Sequence, residues 1–333
     1  MQNYVLGIDV GGTIIKGALF NSEGQLLETS SIGTQESQGK EKILGNLLSL
    51  VNSLQEKAKK VSAIGIGVAG ILDVEKEVLL QSPNLKNLEN AHIKNFLAEA
   101  LRIPVYLEND ANAAALGEKW AGAGKNIENF LCITLGTGIG GGLILHNELW
   151  SGENGKAGEF GHMIVAHRGV PCACGKNGCL EAYSSGEAIS RMARTRLQSG
   201  AYSSLKNLSG GDFNTINAEM VYRAARNGDT VAIEIFKQAA AYLAVGIANV
   251  NNLLDIHYVI LGGGVSNAFD VFAPFLLEEI KKQVFIISRE RIAVVPSALG
   301  SAAGIYGAGY LALQRAGLSE KIVSGRRMVN AFF

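Results

Sequence analysis

Leu6-Gly7-Ile8-Asp9-Val10-Gly11-Gly12-Thr13 decides how this chain is read, because a second stretch, Leu135-Gly136-Thr137-Gly138-Ile139-Gly140-Gly141-Gly142, has the same setting. Both are glycine turns between short apolar, β-rich runs. Residues 4–9 and 14–20 flank the first, and 130–135 and 141–146 flank the second. Such runs joined by tight turns predict antiparallel hairpins.

Outward from the first turn, residues 25–31 form a third strand after Asn21-Ser22-Glu23-Gly24. Residues 42–60 then place Ile43, Leu47, Leu50, Val51 and Leu54 at helical spacing. A strand at 61–68, a helix at 92–101, a strand at 104–107 and an alanine-rich helix at 110–120 complete one α/β unit. Outward from the second turn the order returns, with helices within 218–254, a strand at 257–261, a helix, a strand at 291–295 and a last helix at 302–316. The expected fold is α/β, two units related by an old duplication and meeting across a cleft. The expected division is a smaller lobe over 1–120, joined by a C-terminal helix within 300–320, and a larger lobe over 121–299.

Composition narrows the function. The 333 residues suit two domains. Thirty basic and thirty acidic residues cancel, leaving no long-range field to attract nucleic acid or an anionic membrane. Charged residues are 18% and apolar residues 47%, enough to build a core and to exclude disorder. Met1-Gln2-Asn3-Tyr4-Val5 lacks a secretory signal pattern, so a cytoplasmic protein is expected. The charge-free run 292–314 is long enough to cross a membrane, but Pro296, Gly300, Gly304, Gly307 and Gly309 favour a strand, a turn and a close-packed helix.

The glycine turns carry chemistry. At Gly11-Gly12-Thr13, backbone N–H groups can approach a phosphate while Thr13 adds a hydroxyl. A plain hairpin turn accounts for the glycines, but not for the carboxylate of Asp9 at the end of a buried strand. Residues 136, 138 and 141 match G-x-G-x-x-G, yet a strand follows rather than a helix, which contradicts a dinucleotide site. Gly136, Thr137 and Gly138 therefore read as a second phosphate grip. A third run, Gly262-Gly263-Gly264, follows a strand and precedes a helix, where backbone packs against a phosphate or a flat ring.

Two further segments complete the candidate site. Glu108-Asn109-Asp110-Ala111-Asn112 closes a strand and opens a helix, placing Asp110 at or near the N-cap. Capping alone explains an Asp there, but beside a phosphate donor it can accept a proton from an attacking hydroxyl. Cys172-Ala173-Cys174-Gly175-Lys176-Asn177-Gly178-Cys179 supplies three thiols, one short of a tetrahedral zinc site. His162 and His167 are both in range to complete it, and spacing does not choose between them. A redox role is the alternative, although the spacing is not C-x-x-C. Cys132 reads as a small core residue.

These motifs, with Gly158-Glu159-Phe160-Gly161-His162 and the Leu180-Glu181 that follows Cys179, resemble in order the ROK family of sugar kinases and sugar-responsive repressors, over residues 6 to about 310. The resemblance implies an actin-like ATPase fold of two ribonuclease-H-like lobes around a cleft. It implies Asp110 as catalytic base, and Asn84, Asn109, Glu159, His162 and Glu181 as sugar contacts. It also selects His162 over His167 as the zinc ligand beside Cys172, Cys174 and Cys179, and suggests a homodimer. Two departures limit it. Ile14 stands where many relatives have Lys, and Lys16 reads as a solvated strand residue rather than a replacement. Only about eight residues precede the first turn, where repressors carry a helix-turn-helix.

The expected activity is ATP-dependent phosphorylation of a hexose at the 6-hydroxyl, with glucose first and N-acetylglucosamine, N-acetylmannosamine or fructose as alternatives. Mg²⁺ is expected near Asp9, and Zn²⁺ in a structural role. From another class, a non-catalytic sugar sensor is the competing reading, disfavoured because a sensor has no use for a proton acceptor beside a nucleotide.

Overall fold

The computed structural model describes residues 3–58, 60–73, 78–82 and 84–318. In chain order the first half comprises β1 (Tyr4–Val10), β2 (Ile14–Asn21), β3 (Leu26–Gly33), α1 (Lys40–Gln55), β4 (Val61–Val68), β5 (Ile71–Asp73), β6 (Val78–Gln81), α2 (Ile93–Leu101), β7 (Val105–Asn109) and α3 (Asp110–Ala121). The second half comprises β8 (Phe130–Leu135), β9 (Ile139–Leu145), β10 (Glu148–Leu149), α4 (Glu181–Ser184), α5 (Gly186–Gln198), α6 (Leu205–Leu208), α7 (Ala218–Arg226), α8 (Thr230–Leu254), β11 (Tyr258–Gly262), α9 (Phe269–Gln283), β12 (Ala293–Pro296) and α10 (Ala303–Arg315).

Two five-stranded sheets have one topology. Their strand orders are β3-β2-β1-β4-β7 and β10-β9-β8-β11-β12. In each, a three-stranded antiparallel meander is extended by two parallel strands. The repeated order expected from the glycine turns is thus present in the strand topology.

Strand alternation explains what each sheet face packs against. On β1 and β4, Leu6, Ile8, Val10, Ile64, Ile66 and Val68 point into a core shared with α1 and α2. The opposite face carries the smaller Val5 and Ala63, which join Phe20, Ile305, Ala312 and Leu313 under α10. Glycines on that face admit the helix backbone itself: a Cβ built on Gly65 would lie 1.8 Å from the Ala308 carbonyl oxygen. The second sheet repeats the scheme. Leu131, Ile133, Val259 and Leu261 face the large core around α8, while Phe130, Cys132 and Ile260 face α3 and α10.

The pair α3 and α10 therefore lies between the sheets. Gly307 of α10 meets α3 so closely that an added Cβ would sit 1.6 Å from the Ala113 carbonyl oxygen. Trp120 stacks on Tyr310 at 5.4 Å and also meets Phe20 at 5.3 Å, so aromatic rings tie both helices to β2. The charge-free run at 292–314 resolves as expected, into β12, a turn and most of α10. By length and composition α8 could cross a membrane, yet its Ile235, Phe236, Leu243 and Ile247 are buried in the larger core. Asp229 caps it, accepting the Ala232 N–H at 3.0 Å.

Candidate active site

Asp110 opens α3 at the C-terminal edge of the first sheet, next to the N-cap, within the place expected for it. Asn109 is the cap: its Oδ1 accepts the N–H groups of Ala111 at 2.9 Å and Asn112 at 3.2 Å, and its Nδ2 donates to the Gly70 carbonyl at 3.0 Å. The β-region backbone at Asn109 fits the cap, so Asp110 is the first helical residue. Capping therefore does not explain Asp110. Asn109 retains one amide N–H for a ligand.

Asp110 and Asp9 line one cavity of about 170 Å³ between the sheets, together with Thr134, Gly262, Gly263, Gly300 and Ser301. Burial first, and then the Asp9 charge, push the Asp110 carboxyl up to about 6, and Glu159 adds to the rise. Burial also raises Asp9, while the Lys16 charge lowers it. Lys16 corrects an expectation. It is half-buried and lies opposite Asp9 in the β1–β2 register, so the two side chains share the cleft face of the sheet. The alternation that put Asp9 on that face places Lys16 there too, a signal available from the hairpin alone.

Thr134 was also missed. Matching Ile133-Thr134-Leu135-Gly136 against Ile8-Asp9-Val10-Gly11 puts it at the position of Asp9 in the second unit, which the repeated topology bears out.

The remaining expected residues fall into two groups. Gly11, Gly12 and Thr13 form the β1–β2 turn, closed by the Gly11 N–H to the Ile14 carbonyl at 3.1 Å. Asn84 packs directly on Gly12. Gly136, Thr137 and Gly138 form the β8–β9 turn. There the Glu181 carboxylate accepts the Ile139 N–H at 2.9 Å, fixing its position at the turn. Gly262 and Gly263 line the cavity; Gly264, next in the chain, is absent from its lining. Glu159 lies 3.9 Å from His162 Nε2.

His162 Nδ1 faces the Cys172 sulfur at 3.8 Å, and the Cys174 and Cys179 sulfurs are 3.6 Å apart. All four ligand atoms lie within 4.8 Å of one another, and His167 is not among them. Tetrahedral zinc with Zn–S bonds of about 2.3 Å sets sulfurs about 3.8 Å apart, so the donor set fits that ion. With Nδ1 turned to the thiols, Nε2 lies toward Glu159, so a bound metal would also orient that carboxylate.

Residues 5–315 match the ROK family. The chain belongs to the ROK family. It is 35% identical to a glucokinase of Halalkalibacterium halodurans, over 96% of this chain and 98% of that one. A ROK family glucokinase from Streptomyces griseus, solved with glucose and AMPPNP, superposes with a TM-score of 0.81 at 35% identity, covering 93% of this chain and 99% of that one. A xylose repressor of Caldicellulosiruptor bescii is 31% identical over 91% of this chain and 76% of its own length. The α/β actin-like fold implied by the motifs is the fold of these ROK structures.

Proposed function

We propose that this ROK protein is an ATP-dependent hexose kinase that phosphorylates the 6-hydroxyl of glucose. The observation that carries the reading is the cavity between the sheets, lined by Asp110, Asp9 and the glycines at the end of β11. The likeness to glucokinases over nearly the whole chain supports it.

Asp110 takes the proton of the sugar 6-hydroxyl while that oxygen attacks the γ-phosphorus and the bond to the β–γ bridging oxygen breaks, releasing ADP. N–H groups of the Gly11–Thr13 and Gly136–Gly138 turns, and the Lys16 ammonium, stabilise charge on the transferring phosphoryl group. Mg²⁺ held at Asp9 would neutralise part of the polyphosphate charge. Asn84, Asn109, Glu159, His162 and Glu181 hold the sugar hydroxyls. Carboxylates in that set discriminate epimers, because a misplaced hydroxyl leaves a buried acceptor unpaired. Zinc on Cys172, Cys174, Cys179 and His162 is structural. The protein acts as a cytoplasmic homodimer without nucleic-acid or membrane partners.

A coupled ADP-release assay with ATP and Mg²⁺ across glucose, mannose, fructose and the two N-acetylhexosamines tests the reading. Glucose should give the highest kcat/KM. Preference for an N-acetyl sugar changes the substrate and keeps the chemistry. The likeness to xylose repressors supports a second reading, a sugar sensor; sugar binding without ADP release on any of the five would favour it.

Metal analysis should find one zinc per chain. Its removal by a chelator should weaken glucose binding more than tenfold, an expected loss in the range seen when groups orienting a site are removed, while binding of a non-hydrolysable ATP analogue is spared. Unchanged glucose affinity in zinc-free protein would detach the metal from the sugar site.

A further inference from the structure

Glu118 lies about two turns along α3 from Asp110, fully buried, and the chemistry above makes no use of it. Four donors converge on its carboxylate. They are the Ala123 N–H at 2.7 Å, the Ser297 hydroxyl at 2.5 Å, the Leu299 N–H at 3.1 Å and the Ala298 N–H at 3.3 Å. Ser297 Oγ in turn accepts the Gly300 N–H at 2.8 Å. A buried carboxylate is tolerated only with such satisfaction, and removing its charge leaves several donors poorly paired.

The placement of the donors gives the network its meaning. Ala123 lies on the crossing from α3 to β8, and residues 297–302 form the crossing from β12 to α10. One carboxylate thus holds both crossings between the two sheets. The second crossing is also part of the cavity wall, since Ser297, Gly300 and Ser301 line it together with Asp9, Asp110 and Glu118 itself. Gly300 adopts φ of +52°, a backbone state that the Ser297 hydrogen bond helps to hold.

We propose that Glu118 is a positioning residue for the nucleotide: it fixes the turn at 297–300 so that the backbone opening α10 is preset to receive the polyphosphate of ATP. The inference rests on the kinase reading and adds to it the residue that shapes its nucleotide side. Because Glu118 bonds to the wall and not to the sugar-side residues, its loss acts on one ligand and not on the other.

The test is equilibrium binding to the full chain, by calorimetry, of a non-hydrolysable ATP analogue and separately of glucose. In Glu118→Gln the introduced amide nitrogen faces an N–H donor. The analogue's Kd is expected to rise about tenfold, the equivalent of one lost hydrogen bond to a charged group, while the glucose Kd stays within about twofold. Ser297→Ala keeps the carboxylate and removes one donor, so a rise of about threefold in the analogue's Kd alone is expected. If Glu118→Gln does not fold, Ser297→Ala decides by itself. Unchanged analogue binding overturns the proposal, and so does an equal weakening of both ligands, which would mean general loosening. Neither readout depends on turnover, so a wild-type protein that binds both ligands but releases no ADP would refute the kinase reading and leave this test intact.

Discussion

On the proposed reading, Asp110→Asn is expected to lower kcat by roughly 10²- to 10⁴-fold, the usual worth of a positioned general base, and to leave the glucose Kd within about threefold. Asn keeps the shape and the place at the head of α3 but accepts no proton from the sugar hydroxyl. In the wild type, kcat/KM should fall about tenfold per pH unit below about 6, where burial and the Asp9 charge set the protonation of Asp110.

The same group affects stability with a definite sign. The folded chain keeps the proton of Asp110 up to about pH 6, whereas the unfolded chain releases it near 3.8. Protein without ligands therefore loses stability from this residue as pH rises through that window. The loss at neutral pH is about 3 kcal/mol. Asp110→Asn should consequently raise the urea midpoint at pH 7.5 and have little effect on it near pH 4. Near-normal turnover of the variant would remove Asp110 as the base, and a lower midpoint at pH 7.5 would refute the electrostatic account.

Gly65→Ala is expected to cost about 3 kcal/mol or more, the upper range for overpacking a rigid core, and to reduce the yield of folded protein. The built Cβ meets a backbone carbonyl of α10 and not a side chain that can swing away. Relief requires α10 to withdraw from β1 and β4, which also pulls it from α3 at Gly307. Gly45→Ala, at an exposed position of α1, is the control, because an added Cβ there meets nothing within 4 Å. It should stabilise by roughly 0.5–1 kcal/mol through helix propensity. Equal urea midpoints for the two variants would show that the close approach is not what holds α10.

Local pattern carried much of this structure. Both hairpins, α1, β4, α2, α8 and α10 were legible from periodicity and turn residues, since each has its apolar face written into contiguous sequence. The thiol cluster was legible from its spacing, and family motifs were needed to bring in His162. What escaped depends on distant partners. The strand end alone leaves open which residue is the cap itself, and the bond from the Asn109 amide to Gly70, 39 residues earlier, is not written in the local sequence. Nothing local in the alanine-rich helix singles out Glu118; only the return of residues 297–299, some 180 positions later, shows it as a buried acceptor. Lys16 and Thr134 could have been read from strand alternation and from matching the two hairpins, both of which are local signals.

The packing of α10 on β1 and β4 also bears on biosynthesis. The first sheet leaves the ribosome with its glycine face bare, and the helix that covers it begins only at Ala303. At about 5–20 residues per second, the stretch between β4 and that helix takes on the order of 10–50 s to make. For that interval the amino-terminal half is an unfinished body exposing an apolar groove. Chains truncated before residue 303 are therefore expected to aggregate more readily than the full chain, a consequence of the order in which the chain is written.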